Sequence, residues 1–406
     1  MFGYDDKNKY LILIFILGLI LRIFVSFYLE DTIYWEDGFD YDSLANRLLE
    51  GKGFVSDDGT ATAFRAPLYP LFLAAVYSIF GHHFFVVRII QCLIDSVTLL
   101  VIFAIARFLY DKQVATISAL IYGIYPLLIY SANTFFPTTL FIFLFAISVL
   151  LVLKLKQKAT VFGSAFWGFV FGISVLTMPT ILTFLPVALV WLFFAFEKKG
   201  RKFAFNAGAI ILTMVFVLSP WLIRNKKVFN KSLLITTNGG YNFWMGNNPS
   251  TKASTGNSVK IPDYLSQQLS EAKSETEKDR IFFQDAFQII KKDPLRFIHL
   301  TIIKALNLWR FYPSPDTGYK IFPILSKILS VMTYTPISML ALCGFILCWS
   351  QKREVVLLLL LFISLTMTYA IFITKVRFRL PLDPYLIILA SYSINTIWEY
   401  WKNKSD

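Results

Sequence analysis

Apolar runs of roughly 17 to 25 residues alternate with short polar segments along most of the chain, and an α-helix needs roughly 20 such residues to cross a hydrocarbon core. The clearest runs fall near 10–28, 84–108, 114–131, 135–153, 160–177, 180–196, 203–220, 331–349, 355–374 and 382–401. The pattern therefore predicts an all-α polytopic membrane protein with about ten transmembrane helices. A further apolar stretch at 298–312 reads either as an interfacial helix or as half of an extra hairpin, which would give about twelve. The first run carries Arg22 and lacks a small-residue cleavage site, so it reads as a span and not a signal peptide. Arg22 is either a functional intramembrane charge or a side chain that snorkels to the interface.

Two long polar segments, 29–83 and 221–330, interrupt the runs. They divide the chain into an N-terminal transmembrane module (1–220, including the first outer loop 29–83), an extracytoplasmic segment with interfacial helices (221–330) and C-terminal spans (331–406). In the first loop, Tyr41, Leu44, Ala45, Leu48 and Leu49 form one apolar face of a short helix from Asp40 to Leu49, with Gly51 and Gly53 as its stop. Such a helix lies on a membrane surface. Asp37 and Asp40 fall at or just before its N-terminus, where the helix dipole favours carboxylates. A further apolar helix follows at 68–80. In the second segment, Asn238–Pro249 reads as a loop whose glycines permit tight turns. Residues 250–280 read as a polar, flexible stretch, and 263–291 as an exposed helix covering the site.

Composition sharpens this picture. Of 406 residues, 56% are hydrophobic and 16% charged, and the mean hydropathy is +0.59, which excludes an ordinary soluble enzyme. The net charge of +13 raises the question of nucleic acid. The cations sit in short loops instead: Lys7 and Lys9, Arg107 and Lys112, Lys154 to Lys158, Lys198 to Lys202, Lys352 and Arg353, Lys402 and Lys404. These belong on the cytoplasmic side, facing anionic membrane lipids, with both termini inside; no nucleic-acid partner is expected. Cys92, Cys343 and Cys348 lie in apolar runs, and His82, His83 and His299 lack ligand spacing, so no disulfide framework, metal or other cofactor is expected. No internal repeat is visible, which removes the inverted-repeat plan of many transporters.

Charge on the other side of the membrane points to chemistry. The first outer loop holds Glu30, Asp31, Glu36, Asp37, Asp40, Asp42, Glu50, Asp57 and Asp58, opposed by Arg47 and Lys52. Asp37 is either a helix-capping carboxylate or a general base at the membrane surface. Arg65 precedes a proline-stiffened turn, Pro67-Leu68-Tyr69-Pro70, and is either a fixed cation near that base or an ordinary salt-bridging residue. A base that takes a hydroxyl proton, beside a cation that stabilises a departing phosphate, suits transfer from a phosphate ester. Arg377 and Arg379, with Lys375, form a cationic cluster for a phosphate or for lipid headgroups, and Arg224 has the same two readings. Tyr241, Phe243 and Trp244, among asparagines, suit stacking on a sugar or anchoring at the interface.

Several patterns occur in order along the chain: Asp37-x3-Tyr41-x3-Ala45-x2-Leu48-Leu49, Arg65-x-Pro67-x2-Pro70, Val87-Arg88, Ser219-Pro220-Trp221-Leu222-Ile223-Arg224-Asn225, Asn238 to Pro249, and Arg377-Phe378-Arg379-Leu380-Pro381. Together they resemble the C-type fold membrane glycosyltransferases, specifically the family 39-like (PMT-like) proteins and the lipid A aminoarabinose transferases. The resemblance implies a polyprenyl-phosphate sugar donor, an acceptor hydroxyl on a lipid, glycan or protein, and inverting transfer outside the cytoplasm, in a bacterial plasma membrane. It implies Asp37 as the catalytic acid, with Asp40 or Asp42 as a substitute for a second one, and Tyr41, Arg65, Arg88, Arg224, Asn247, Asn248, Arg377 and Arg379 as substrate-binding residues. Two departures stand out. The aminoarabinose enzymes have Lys-Pro-Pro where Arg65 lies, and Thr138 stands where relatives often carry a second acid. A lipid-linked sugar flippase, a glycan ligase or polymerase of another fold, and a non-catalytic scaffold are the rival readings.

Overall fold

The computed structural model describes residues 6–29, 32–34, 36–196, 200–231, 235–251, 259–312, 323–349 and 354–405. Among them the chain forms seventeen α-helices, with a lone antiparallel bridge between Val55 and Ala61. Six helices contain segments long and apolar enough to cross a membrane: α1 (Asp6–Tyr28), α4 (Phe84–Leu109), α7 (Thr138–Gln157), α10 (Arg201–Phe229), α15 (Pro323–Cys348) and α16 (Glu354–Ile371). The run at 114–131 becomes two helices, α5 (Lys112–Ile124) and α6 (Pro126–Ala132), bent by 57°. Pro126 has no N–H and pushes the residue before it out of the α region, so Tyr125 adopts φ −71°, ψ 112° and breaks the span.

The runs at 160–177 and 180–196 appear as α8 (Val161–Thr177) and as a 3₁₀ turn (Pro179–Thr183) leading into α9 (Phe184–Ala195), both shorter than a full span. The last run forms α17 (Asp383–Ser405), whose first half buries Tyr385, Ile387, Ile388, Leu389 and Ala390 against α5 and α15. The 298–312 stretch covers the later part of α14 (Pro294–Leu308) and the four residues after it; α14 packs along α16, and Trp309 just past its end meets Phe362 edge-on at 5.9 Å. Its fifteen residues are too few for a full span. Residues 313–322, and the cationic positions 198, 199, 352 and 353, lie outside the described residues.

Arg22 neither snorkels nor lines a pathway. It is fully buried, its Nε donates to Asp95 at 2.6 Å, and its Nη1 donates to the carbonyls of Gly18 and Gly123. Tyr122 donates its hydroxyl to the same carboxylate at 2.6 Å. This network joins α1, α4 and α5 inside the bundle.

Outside the spans, α2 (Glu36–Leu49) lies against α3 (Leu68–Phe80), burying Tyr41 and Ala45 on Tyr69, Leu73 and Tyr77. The helix starts a turn earlier than its apolar face predicts, and Asp37 sits in its first turn. The outer segment also departs from the sequence reading. Asn238–Pro249 is largely a helix, α11 (Gly239–Asn247), and Phe243 and Trp244 are buried in a small core with Met245, Leu265, Phe282 and Ala286. They are therefore unavailable for stacking on a sugar. The helix expected at 263–291 is two, α12 (Asp263–Glu271) and α13 (Glu275–Lys292), because Ser274 caps the second by accepting from the Glu277 N–H.

Candidate active site

The site is built where α2, the irregular segment after it and the turn after α16 meet. Gly38 lets the start of α2 press against its neighbours, since a Cβ there would lie 2.6 Å from Ile33 Cγ2 and 3.2 Å from Phe135 Cβ. This seats Asp37 between two arginines. Its Oδ1 accepts from Arg65 Nη2 at 2.7 Å, and its Oδ2 accepts from Arg377 Nη2 at 2.5 Å. Arg65 Nη2 also donates to Asp40 at 2.6 Å. Arg65 approaches from the stretch before α3. Arg377 approaches from a 3₁₀ turn, Val376–Arg379.

Aromatic rings support both cations. The Arg65 guanidinium lies 5.2 Å from the Tyr41 ring and 5.3 Å from that of Phe64. The Arg377 guanidinium lies 4.3 Å from the ring of Phe136. Tyr41 is buried and meets Tyr69 edge-on at 5.1 Å, so it forms the floor beneath Arg65. Side-chain exposure rises from 16% at Arg65 through 28% at Asp37 and 30% at Arg377 to 53% at Asp40, so the cluster is open on the Asp40 side. Arg65 Nε is buried with no hydrogen-bond partner.

Burial alone would raise the Asp37 pKa. The charges and hydrogen bonds of Arg377 and Arg65 outweigh it and hold the carboxyl well below the usual carboxylate range. As it stands, the carboxylate is a weak base held between two guanidinium groups. The arrangement can bind an anion at the two guanidinium groups, and it can accept a proton only if those groups are drawn away.

Five other expected binding residues have donors committed elsewhere. Arg88 donates to the carbonyls of Thr32, Leu29 and Asn133. Arg224 donates to the carbonyls of Thr62 and Phe54, both at 2.8 Å. Arg379 is fully buried, pairs with Asp383 at 3.0 Å and donates to the Arg310 carbonyl at 2.7 Å. Asn247 and Asn248 turn their amides onto backbone carbonyls of Phe243, Ile371, Trp244 and Met245. In each case the side chain satisfies backbone acceptors at helix ends or in irregular segments, which would otherwise be buried unpaired.

Other residues escaped the sequence reading. Phe136, two positions before Thr138, is the residue of that stretch beneath Arg377. Thr138 itself is buried at the start of α7. Lys304 is buried and donates to Asn247 Oδ1 and the carbonyls of Gly246, Ile371 and Phe372. Asp42 accepts from the Tyr77 hydroxyl at 2.6 Å and pairs with His82 at 2.8 Å, while Asp40 shares Arg65. Among the described residues no group of three or more His, Cys, Asp or Glu could hold a metal ion.

This bundle has the C-type fold of polytopic membrane glycosyltransferases, and the chain is an integral membrane protein. Residues 64–223 match the family model described as dolichyl-phosphate-mannose-protein mannosyltransferase. The oligosaccharyltransferase AglB of Archaeoglobus fulgidus is similar in two solved structures, one tethered to an acceptor peptide and one in complex with an inhibitory peptide and a dolichol-phosphate. Each aligns over 98% of this chain with TM-score 0.60 and 13% identity. The chain spans about half the length of these relatives, 50% and 51%. ArnT of Cupriavidus metallidurans, in the apo state, aligns over 96% of this chain and 78% of its own, with TM-score 0.45 and 13% identity. No curated protein matches the chain by sequence.

Proposed function

We propose that the protein is a glycosyltransferase that takes a sugar from a polyprenyl-phosphate donor and places it, with inversion, on an acceptor hydroxyl outside the cytoplasm. The observation that carries this reading is the single carboxylate of Asp37 held between Arg65 and Arg377 at an open cluster. A donor phosphate competes with Asp37 for the same guanidinium groups. As Arg65 and Arg377 turn to the phosphate, Asp37 loses the charges that suppress its basicity. The acceptor oxygen then bonds to the anomeric carbon while its proton passes to Asp37. The bond from that carbon to the phosphate oxygen breaks, and its electron pair leaves on the phosphate, which the two arginines stabilise. With one base and no covalent intermediate, the configuration inverts.

The match of residues 64–223 to a family described by a dolichyl-phosphate sugar supports the donor class. The acceptor is a lipid, glycan or protein, and the membrane is a bacterial plasma membrane with both termini cytoplasmic. Transfer by the purified protein in detergent, with no membrane to cross, tests the reading. Release of polyprenyl phosphate from a polyprenyl-phosphate sugar, with formation of glycosylated acceptor, is the expected result. Binding of the donor without turnover in the presence of membrane-extracted acceptors would identify a carrier instead.

A further inference from the structure

Arg65 reaches Asp37 from irregular backbone, not from a helix, so its placement has to come from outside its own segment. We infer that Glu275, at the start of α13, is the positioning residue that fixes Arg65, and that Asp279 one turn later fixes the opposite wall of the site. This inference rests on the proposed role of Arg65 as a phosphate ligand.

The bonds converge two and three residues ahead of Arg65. Thr62 donates its hydroxyl to Glu275 Oε1 at 2.6 Å, and the Ala63 N–H donates to Glu275 Oε2 at 2.8 Å. Thr237 donates its hydroxyl to the same Oε2 at 2.7 Å, and its N–H to the Ala63 carbonyl at 3.0 Å. Arg224 closes the bracket by donating to the Thr62 carbonyl. The peptide group between Thr62 and Ala63 is thus held at both its oxygen and its nitrogen, and the next carbonyl is held as well. Glu275 accepts three neutral donors, and such charge-assisted bonds are stronger than neutral ones. Its place in the first turn of α13 puts the carboxylate where the helix dipole favours it.

One turn along the same helix face, Asp279 Oδ1 accepts the Gly240 N–H at 2.6 Å. The backbones meet so closely that a Cβ on Gly240 would lie 2.0 Å from the Asp279 carbonyl oxygen. The next residue, Tyr241, turns its ring towards Phe64, 6.3 Å between centroids, and Phe64 in turn backs Arg65. Helix α13 therefore grips both segments that flank the site, one through Glu275 and one through Asp279.

The test uses the full chain in detergent with decaprenyl phosphate as the probe. Charged hydrogen bonds of this kind are worth enough that Glu275→Ala should weaken probe binding by about tenfold, with amide exchange in residues 54–66 faster by a similar factor. Thr237→Val, which removes one of the three donors, should move both readouts in the same direction by less, and it carries the test if Glu275→Ala does not fold. Arg65→Ala is the reference for the role of Arg65. Weakened binding in Arg65→Ala but wild-type binding in Glu275→Ala and Thr237→Val overturns the positioning role, even if exchange in 54–66 rises. Unchanged binding in Arg65→Ala overturns the phosphate reading of Arg65 first, and the positioning inference with it.

Discussion

Among the described residues, two enclosed arginine–carboxylate pairs contrast with one open cluster, and the contrast separates scaffold from site. In the bundle, Arg22 pairs with Asp95 and Arg379 with Asp383, one cation to one anion, with side chains 0–2% exposed. Most remaining donors there meet carbonyls, as those of Arg22 do. At the part-exposed site, Asp37 is shared by two arginines, Asp40 adds a second carboxylate to Arg65, and the group is open on one side. A balanced, enclosed pair has nothing further to bind. An open cluster in which two cations share one part-exposed acid, and can turn from it to a ligand, is prepared for another anion.

The largest expected effect breaks the first kind. Arg22→Ala leaves Asp95 buried without its cation, and losing one partner of such a pair costs about 3–5 kcal/mol. Thermal unfolding in detergent should show a protein that barely folds. Arg377→Ala should do the opposite: a melting temperature close to wild type, with decaprenyl phosphate binding weakened by about tenfold or more, as expected for one charged hydrogen-bonding group. If Arg377→Ala unfolds the protein as Arg22→Ala does, the two clusters are not different in kind.

A smaller effect concerns pH. Burial, with Glu275 nearby, pushes the Asp279 carboxyl up to about 6, against the bond from Gly240, which lowers it. A raised carboxyl favours the protonated form in the folded state, so its contribution is present below the ordinary carboxylate pKa and is lost as pH rises through about 6. Protection of the amides at the start of α11, taken relative to the intrinsic exchange rate at each pH, should therefore fall between pH 4 and 7, and Asp279→Asn should remove that fall. Asp37 has the opposite sign. Its lowered pKa makes the arginine pairs persist throughout that window, giving way only in strong acid.

The parts legible in the sequence are those with a period or an order. The apolar runs and the face of α2 follow helical spacing, and the motif order pointed to Asp37, Arg65 and Arg377 before any distance was available. Side-chain direction was not legible. Arg377 and Arg379 are two residues apart on a 3₁₀ turn, where about three residues complete a turn, so they point in different directions: one to Asp37, the other into the bundle. The glycines and asparagines of 238–249 signal turns, yet α11 forms with Gly240 letting its backbone approach α13 and Gly246 letting it approach the Phe372 carbonyl just after α16. Tertiary packing overrides local propensity there. Glu275 lies in a polar stretch with no periodic signal to set it apart from its neighbours.

The most direct test of the central claim is a pair of readings on purified Asp37→Asn. Removing the carboxylate's charge frees Arg65 and Arg377 for phosphate, so decaprenyl phosphate should bind at least as tightly as to wild type. Losing the base should lower sugar transfer by about 10²–10⁴-fold. Transfer at the wild-type rate by a correctly folded Asp37→Asn protein would contradict the account.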